Sequence, residues 1–316
     1  MRIEGKEATA VDAACVVVAV DGSASCLPTV DWAADEASRR GVGLILLRAG
    51  VREHYETGTA YDGDLASERK AVQVLLSAAA ERVRTRFPQL PLDTEASDAQ
   101  PVAALLALEP FTPLLVLGAR GRGGSQALLL GSVGLRIAAR AAFPVAVVRG
   151  TVPDYETGHR PRVVIGIGPH KSPALTDFAV REAFLRQADL VLVHAWRSAT
   201  DASRAFALMD TTAEHVHRLL ATAPRWVQQG AGVHVERKST PGNPVEVLLR
   251  EARGADLLVV GARRRHRHFG LQLGPVNNAM LHHAPCPVAV VPAGSAPGSA
   301  ESGSAHQAAS GQSRSR

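Results

Sequence analysis

"LLVLGARGRGGSQALLLGS" at residues 114–132 and "LLVVGARRRHRHFGLQLGP" at 257–275 are two versions of one passage. Each begins as a run of Leu and Val without polar alternation, the pattern of a strand covered on both faces. Each then crosses a loop opened by Gly-Ala and reaches Gly-Ser or Gly-Pro, where a helix can start. Strand, loop and helix in that order make a crossover unit, and crossover units build parallel sheets.

Working outward, the same alternation fills the chain. In the first half, strands are expected at 15–20, 43–49, 91–96, 114–118 and 145–149, with helices at 28–41, 65–87, 100–108 and 132–142. The second half repeats the plan, with strands at 162–167, 189–195, 232–237, 256–261 and 288–292 and helices near 172–188, 203–229, 243–253 and 275–284. The spacing marks a duplication: 261 − 118, 244 − 101 and 287 − 144 all equal 143, for a loop glycine and two prolines. The expected fold class is therefore α/β, as two tandem open five-stranded parallel sheets with helices on both faces, Rossmann-like. The units are expected at 1–152 and 162–292, joined by a Pro- and Gly-bearing linker at 153–161. The small polar residues of 293–316 have almost nothing to bury, and a disordered tail is expected.

Composition narrows the function classes. At 316 residues and 46% hydrophobic, the chain can fill two cores. No apolar run approaches the roughly 18–20 residues of a membrane span. The basic start followed by "AACVVVAV" mimics a signal peptide, but "RVVIGIG" at 162–168 stands in the matching place of the second half, so the strand reading holds. Of 35 basic residues only four are lysine, at 6, 70, 171 and 238, which points to coding bias more than to a nucleic-acid footprint. Aromatics at 4% are too sparse for a base-stacking platform. Cys15, Cys26 and Cys286 lack CxxC spacing and read as reduced thiols of a cytoplasmic protein. His215/His217 and His266/His268 have no clustered further ligands, so no metal site is expected.

The chemistry lies at 118–132. In an open α/β sheet, ligands bind beyond the carboxyl ends of the strands, where the strand order reverses. Gly118 ends a strand, Gly121, Gly123 and Gly124 line the turn, and Gly131-Ser132 opens a helix. Glycines let backbone N–H groups approach phosphate oxygens, the helix start adds unpaired amides and a positive dipole end, and Arg120 and Arg122 add charge. Ser132 can cap the helix or give its hydroxyl to a phosphate. At the opposite lip, Asp21 in "VAVDGSAS" is either a turn aspartate or an acceptor for a ribose hydroxyl or adenine amine.

Gly118-x2-Gly121-x9-Gly131-Ser132, together with "VAVDGSASC…VDWAADEA" and "HAPCPVAVVP", resembles the universal stress protein family over nearly the whole chain except the tail. The resemblance implies ATP, with Mg2+, held between the first and fourth strands. It places Asp21 and the Ala49 backbone at the adenosine, and Gly118, Gly121, Gly131 and Ser132 at the phosphates, with Arg120, Arg122, Gly123, Gly124 and Val133 in the same loop and helix start. It also implies dimer formation through the last strand, so that the halves pair internally or with another chain.

The second half departs from this pattern. Arg264 replaces the middle glycine, Pro275 the serine, and Gly168 the Asp21 carboxylate, so weak or absent ATP binding is expected there. "RRRHRH" at 263–268 reads as a solvated loop, the alternative being that its charge attracts an anion, an acidic partner or RNA. The expected function is a stress-response regulator that binds ATP and contacts a regulatory protein, with no membrane or nucleic-acid partner. A slow ATP hydrolase or phosphotransfer enzyme, and a nucleotide-independent interaction protein, are the alternatives. No catalytic residue is assigned.

Overall fold

The computed structural model describes residues 14–23, 26–51, 65–108, 112–119, 130–149, 160–170, 172–222, 233–262 and 273–292. The first half runs β1 (Cys15–Ala19), α1 (Cys26–Arg40), β2 (Gly43–Ala49), α2 (Leu65–Arg86), β3 (Leu92–Ser97), α3 (Pro101–Leu106), β4 (Leu114–Gly118), α4 (Ser132–Arg140) and β5 (Val145–Val148). The second runs β6 (Arg162–Gly166), α5 (Pro173–Arg186), β7 (Asp189–Trp196), α6 (Ala199–Thr222), β8 (Val235–Pro241), α7 (Pro244–Glu251), β9 (Leu257–Ala262), α8 (Pro275–His283) and β10 (Val288–Pro292). The α/β class read from the sequence is the observed one. The expected linker and tail, at 153–161 and 293–316, lie largely or wholly outside the described residues.

Two details differ from the sequence reading. The strands do not form two sheets but one, in the order β3-β2-β1-β4-β5-β10-β9-β6-β7-β8. All neighbours are parallel except β5 and β10, which meet antiparallel, with Val147 opposite Val288, Ala146 opposite Ala289 and Val145 opposite Val290. Joining removes two edges that would otherwise expose backbone and valine to water. The edges that remain, β3 (LDTEAS) and β8 (VERKSTP), are polar and partly exposed. The eighth strand also begins later than expected, at Val235 and not 232, because its register is set by β7, with Leu190 opposite Val235 and Trp196 opposite Pro241.

One face of the sheet carries a single apolar core across both halves, in which α1, α2, α5 and α6 cover Val16, Val18, Leu44, Leu46, Ile165, Leu190 and Leu192. Small residues on α1, at Ala33, Ala34 and Ala37, let the helix sit close to the strands. The opposite face divides into two cores, one with Leu115, Leu117 and Ile137, the other with Leu258, Val260 and Met280.

Where the halves meet on the shared face, α1 and α5 bury a ring of four charges. Arg40 donates to Glu36 on its own helix at 2.7 Å and to Glu182 across the joint; Arg186 donates to Glu182 and, across the joint, to Glu36. The four side chains are between 0% and 5% exposed. Each guanidinium also faces an aromatic ring of the other half, Arg40 over Phe178 and Arg186 over Trp32, both at 5.6 Å from the centroid. The arrangement is charge-balanced and every carboxylate has two cationic donors, the condition under which buried ions are tolerated.

The two carboxyls occupy equivalent positions, so they titrate as one pair. Burial opposes ionisation of both. Arg186 and Arg40 overcome it for the first step, which is held at about 2, whereas burial and the first carboxylate push the second step up to about 7, the proton belonging to the pair.

Removing one cation leaves two buried carboxylates short of a partner. Arg186→Ala is expected to cost about 3–5 kcal/mol in urea unfolding, and replacing all four charges together by Leu and Met far less. The pH dependence has a definite sign. Between about 2 and the ordinary carboxyl value of 4.5, the folded chain has released a proton that the unfolded chain keeps, so stability falls as pH drops through this window. Between 4.5 and about 7 the folded chain keeps a proton that the unfolded chain has lost, so stability falls as pH rises. The stability difference between the native chain and the four-site apolar variant should therefore peak near pH 4.5 in urea titrations from pH 3 to 8.

Candidate functional site

The strand order reverses between β1 and β4, since β2 and β3 lie on one side of β1 and β4 and β5 on the other. The crevice above this switch point is built by the ends of β1, β2 and β4 and the start of α4. Asp21 follows β1, and its Oδ1 accepts the Ser23 N–H at 2.9 Å across a turn in which Gly22 takes φ +75°. The turn role read from sequence is thus present, and the carboxylate is partly exposed. Ala49 ends β2, buried, and its carbonyl accepts from Arg48 Nη1 at 3.0 Å.

Gly118 ends β4 opposite Val148. The Gly131 N–H donates to the Ala119 carbonyl at 3.2 Å, which pins together the two ends of the loop. Gly131 caps α4 with no side-chain hydrogen bond, so Ser132 is the first helical residue and does not cap, contrary to one of its two expected roles. It stands exposed, with Val133 half-buried beside it against Leu115 and Ile137. The amides of Ser132, Val133 and Gly134 have no acceptor within the helix. A Cβ built on Gly131 would meet no atom within 4 Å, so the helix start faces open space. Arg120, Gly121, Arg122, Gly123 and Gly124 lie outside the described residues.

Sequence reasoning missed Arg48. It sits partly buried near the end of β2, on the sheet face that holds Leu44 and Leu46, and its charge acts on the Cys26 thiol together with that of Asp21. The signal was an arginine inside the apolar run "GLILLRA". Burial, the largest influence, raises the Cys26 thiol above its ordinary value, and Cys286 is pushed up to about 12 by burial. All three cysteines are free thiols.

The second crevice, above β6 and β9, repeats the strand-end hydrogen bond of the first with different contents. Ile167 N–H bonds to Val193 O at 2.8 Å as Val20 N–H bonds to Leu47 O, so Gly168 occupies the Asp21 position and His194 the Arg48 position. His194 is buried with Nδ1 2.8 Å from Ile167 O, and because a carbonyl only accepts, that nitrogen carries the proton. Trp196 stands where Gly50 stands in the first half, with its Nε1 buried and without a hydrogen-bond partner. Pro275 starts α8 and offers no amide. Asn277, at the Gly134 position, donates from Nδ2 to Gly261 O at 2.9 Å and so bridges α8 to the end of β9. The expected obstruction by Arg264, and the basic stretch 263–268, lie outside the described residues.

A second hollow of about 350 Å3 lies at the joint of the halves, lined among others by Asp31, Trp32, Asp35, Arg149, Gln187 and Asp256. It contains none of the sequence-predicted site residues. Asp31 and Asp35 there are paired with Arg82 and Arg86. His215 bonds Asp177 at 2.7 Å, in the place where Arg82 bonds Asp31 in the first half. Among the described residues no three metal-ligating side chains converge, and no helix is long and apolar enough to cross a membrane.

Comparison with known proteins agrees with the architecture. The model of the universal stress protein family matches residues 15–149 and again 159–292. A universal stress protein of Mycobacterium tuberculosis is 30% identical over 290 residues, covering 87% of this chain and 96% of that protein. A relative from Mycolicibacterium smegmatis is 30% identical over 286 residues, with the same two coverages. Among solved structures, a universal stress protein from Archaeoglobus fulgidus superposes with a TM-score of 0.64 at 16% identity, covering 89% of this chain and 98% of that one. A putative universal stress protein from Pseudomonas aeruginosa gives 0.59 at 14% identity, covering 90% and 95%.

Proposed function

This chain belongs to the universal stress protein family, and on that premise we propose that it is an ATP-binding regulatory protein whose first half holds the nucleotide. The observation that carries the reading is the contrast at matching positions: Ser132 and Gly134 at the start of α4 against Pro275 and Asn277 at the start of α8. The first helix offers three amides and a hydroxyl to an anion, and the second has lost an amide and bridges its own neck.

In this reading the second oxygen of Asp21 accepts from the ribose or adenine, and the Ala49 backbone lies beside the adenosine. Gly118, Gly131, Ser132 and Val133 meet the phosphates, together with Arg120, Gly121, Arg122, Gly123 and Gly124. Mg2+ would travel on the phosphates, because it keeps most of its waters and needs only one or two carboxylates, of which Asp21 is the one at the lip. Occupancy changes contacts with a regulatory protein partner in the cytoplasm, and the second half contributes packing or partner contacts.

Arguing against an efficient enzyme, phosphoryl transfer needs a positioned base or water and stabilisation of developing charge. The crevice places Asp21 in a turn and Ser132 on a helix start, without a base beside either among the described residues.

Proline is well tolerated at the first helical position, so Ser132→Pro removes an amide and a hydroxyl with the helix kept. Calorimetric titration of the full chain with ATP should show affinity falling by roughly 10- to 100-fold, as expected for lost charge-assisted hydrogen bonds, with thermal stability unchanged. Unchanged affinity would remove the nucleotide from this crevice. ADP release from the purified protein should stay below about one turnover per second, the low end for ordinary enzymes.

A further inference from the structure

The two halves meet about a local two-fold axis, since Ala146 lies opposite Ala289, its own equivalent at the 143-residue offset. On α1 and α5 the offset is 146, so that Trp32, Glu36 and Arg40 correspond to Phe178, Glu182 and Arg186. The charge ring obeys this symmetry: Arg40 reaches Glu182 as Arg186 reaches Glu36. The hollow of about 350 Å3 at the joint does not. Its lining differs from the equivalents across the axis, where Gln187 has Gly41, Asp256 has Pro113 and Arg149 has Pro292. Between α2 and α6 the offset is 133, because Arg82 on Asp31 and His215 on Asp177 hold matching places, and Leu219 then stands where Arg86 stands. On one side of the axis the joint closes with glycine, proline and leucine; on the other it gathers an amide, a carboxylate and two guanidinium groups. Packing the halves does not demand these polar groups, and a few polar groups converging on a concave, partly apolar space are what a small-molecule site requires.

The backbone at Gln187 agrees. It ends α5 in the left-handed region at φ +52°, where Gly41 ends α1 at φ +64°. Glycine takes this conformation freely, whereas a residue with a Cβ takes it at a cost. The glutamine amide makes no hydrogen bond among the described residues. Four arginines and three aspartates line the hollow, a surplus of one positive charge. Asp31 is paired with Arg82, Asp35 with Arg86, and Arg186 stands in the ring, whereas Arg39 has no ion pair among the described residues. Burial raises the Asp35 carboxyl although the charges of Arg86 and Arg39 act against it, as in a space poor in water, where charged hydrogen bonds are strong. Trp32, Val148, Leu185 and Pro287 supply apolar wall.

We propose that this hollow binds a small organic monocarboxylate, its anionic group taken by Arg39 and the Gln187 amide and its apolar body laid on Trp32. A planar carboxylate suits the fork of a guanidinium, and the amide N–H of a glutamine adds a neutral donor. A polyanion such as a nucleotide or inorganic phosphate is disfavoured, because three aspartates share the walls and like charges repel. The site is separate from the crevice above β1 and β4 and does not depend on what that crevice holds.

The test titrates the full-length chain with benzoate, a flat monocarboxylate, alongside benzamide, its uncharged counterpart, and inorganic phosphate, read by ligand-observed NMR. Benzoate is expected to bind with a Kd of about 1 mM or tighter, and benzamide and phosphate at least about tenfold more weakly. Arg39→Leu and Gln187→Gly install at each position the residue that its equivalent carries, Leu185 and Gly41, so both variants are expected to keep the fold by circular dichroism. The first should weaken benzoate by about 10- to 100-fold; the second should weaken it by about 3- to 10-fold while raising Tm, since glycine relieves the left-handed backbone. Ser132→Pro, which alters the other crevice, should leave benzoate binding as it is. No benzoate binding to the native chain at about 10 mM, equal binding of benzamide, or unchanged affinity in either folded variant overturns the proposal. Loss of benzoate binding in Ser132→Pro also overturns it, by placing the carboxylate at the start of α4.

Discussion

Four buried charges at the joint of the two halves set the terms for the rest of the molecule. Glu36, Arg40, Glu182 and Arg186 sit where an apolar core would otherwise be continuous, and taking them out of water is costly unless all four are present in the right geometry. The ring therefore fixes how α1 lies against α5. That angle in turn brings β5 and β10 together as neighbours, and one sheet of ten strands follows. Area alone would not specify this: valine against valine along β5 and β10 tolerates a slip in register, whereas a carboxylate with two guanidinium donors does not.

Antiparallel joining turns the second half over relative to the first, so the carboxyl ends of the two sets of parallel strands point to opposite edges of the common sheet. The two crevices are thereby separated. The hollow of about 350 Å3 at the joint combines residues from the end of the first half's strands, Val148 and Arg149, with residues that precede strands of the second, Pro161, Asp256 and Pro287. Arg149 adds a further tie, donating to the Leu281 carbonyl at 2.6 Å near the end of α8, where the helix dipole favours a cation.

Much of this is legible from sequence because the buried parallel strands write themselves as runs of Val, Ile and Leu, and because the 143-residue repeat appears in glycines and prolines. Strands β2, β4 and β10 fall at the expected residues, whereas β8, an edge strand reading "VERKSTP", has no such run and starts later than its pattern suggests. The crevice is legible through Asp21, Gly118 and Gly131 and not through Arg48 or Asn277, whose roles depend on what stands across from them. The charge ring is hidden for the same reason. Glu36 and Arg40 stand four residues apart on α1, and only the fold brings Glu182 and Arg186 against them.

The difference between the halves then has a physical explanation in what each position touches. At the joint the contacts of each half are repeated by the other, Arg40 on Glu182 as Arg186 on Glu36, so a change on one side is felt by the other. Arg40 cannot be altered without stranding Glu182, nor Trp32 without exposing Arg186. At the crevices no such link exists among the described residues: Asn277 bonds Gly261 of its own half, and Gly168, Pro275 and Asn277 lie on the edge opposite to Asp21, Ser132 and Gly134. A joint that must match itself and two crevices that need not match each other is an architecture in which one crevice can close while the sheet, the ring and the other crevice stay as they are. That independence is available only when the halves share a chain. In a dimer of identical chains, a proline at the helix start would occupy both sites at once.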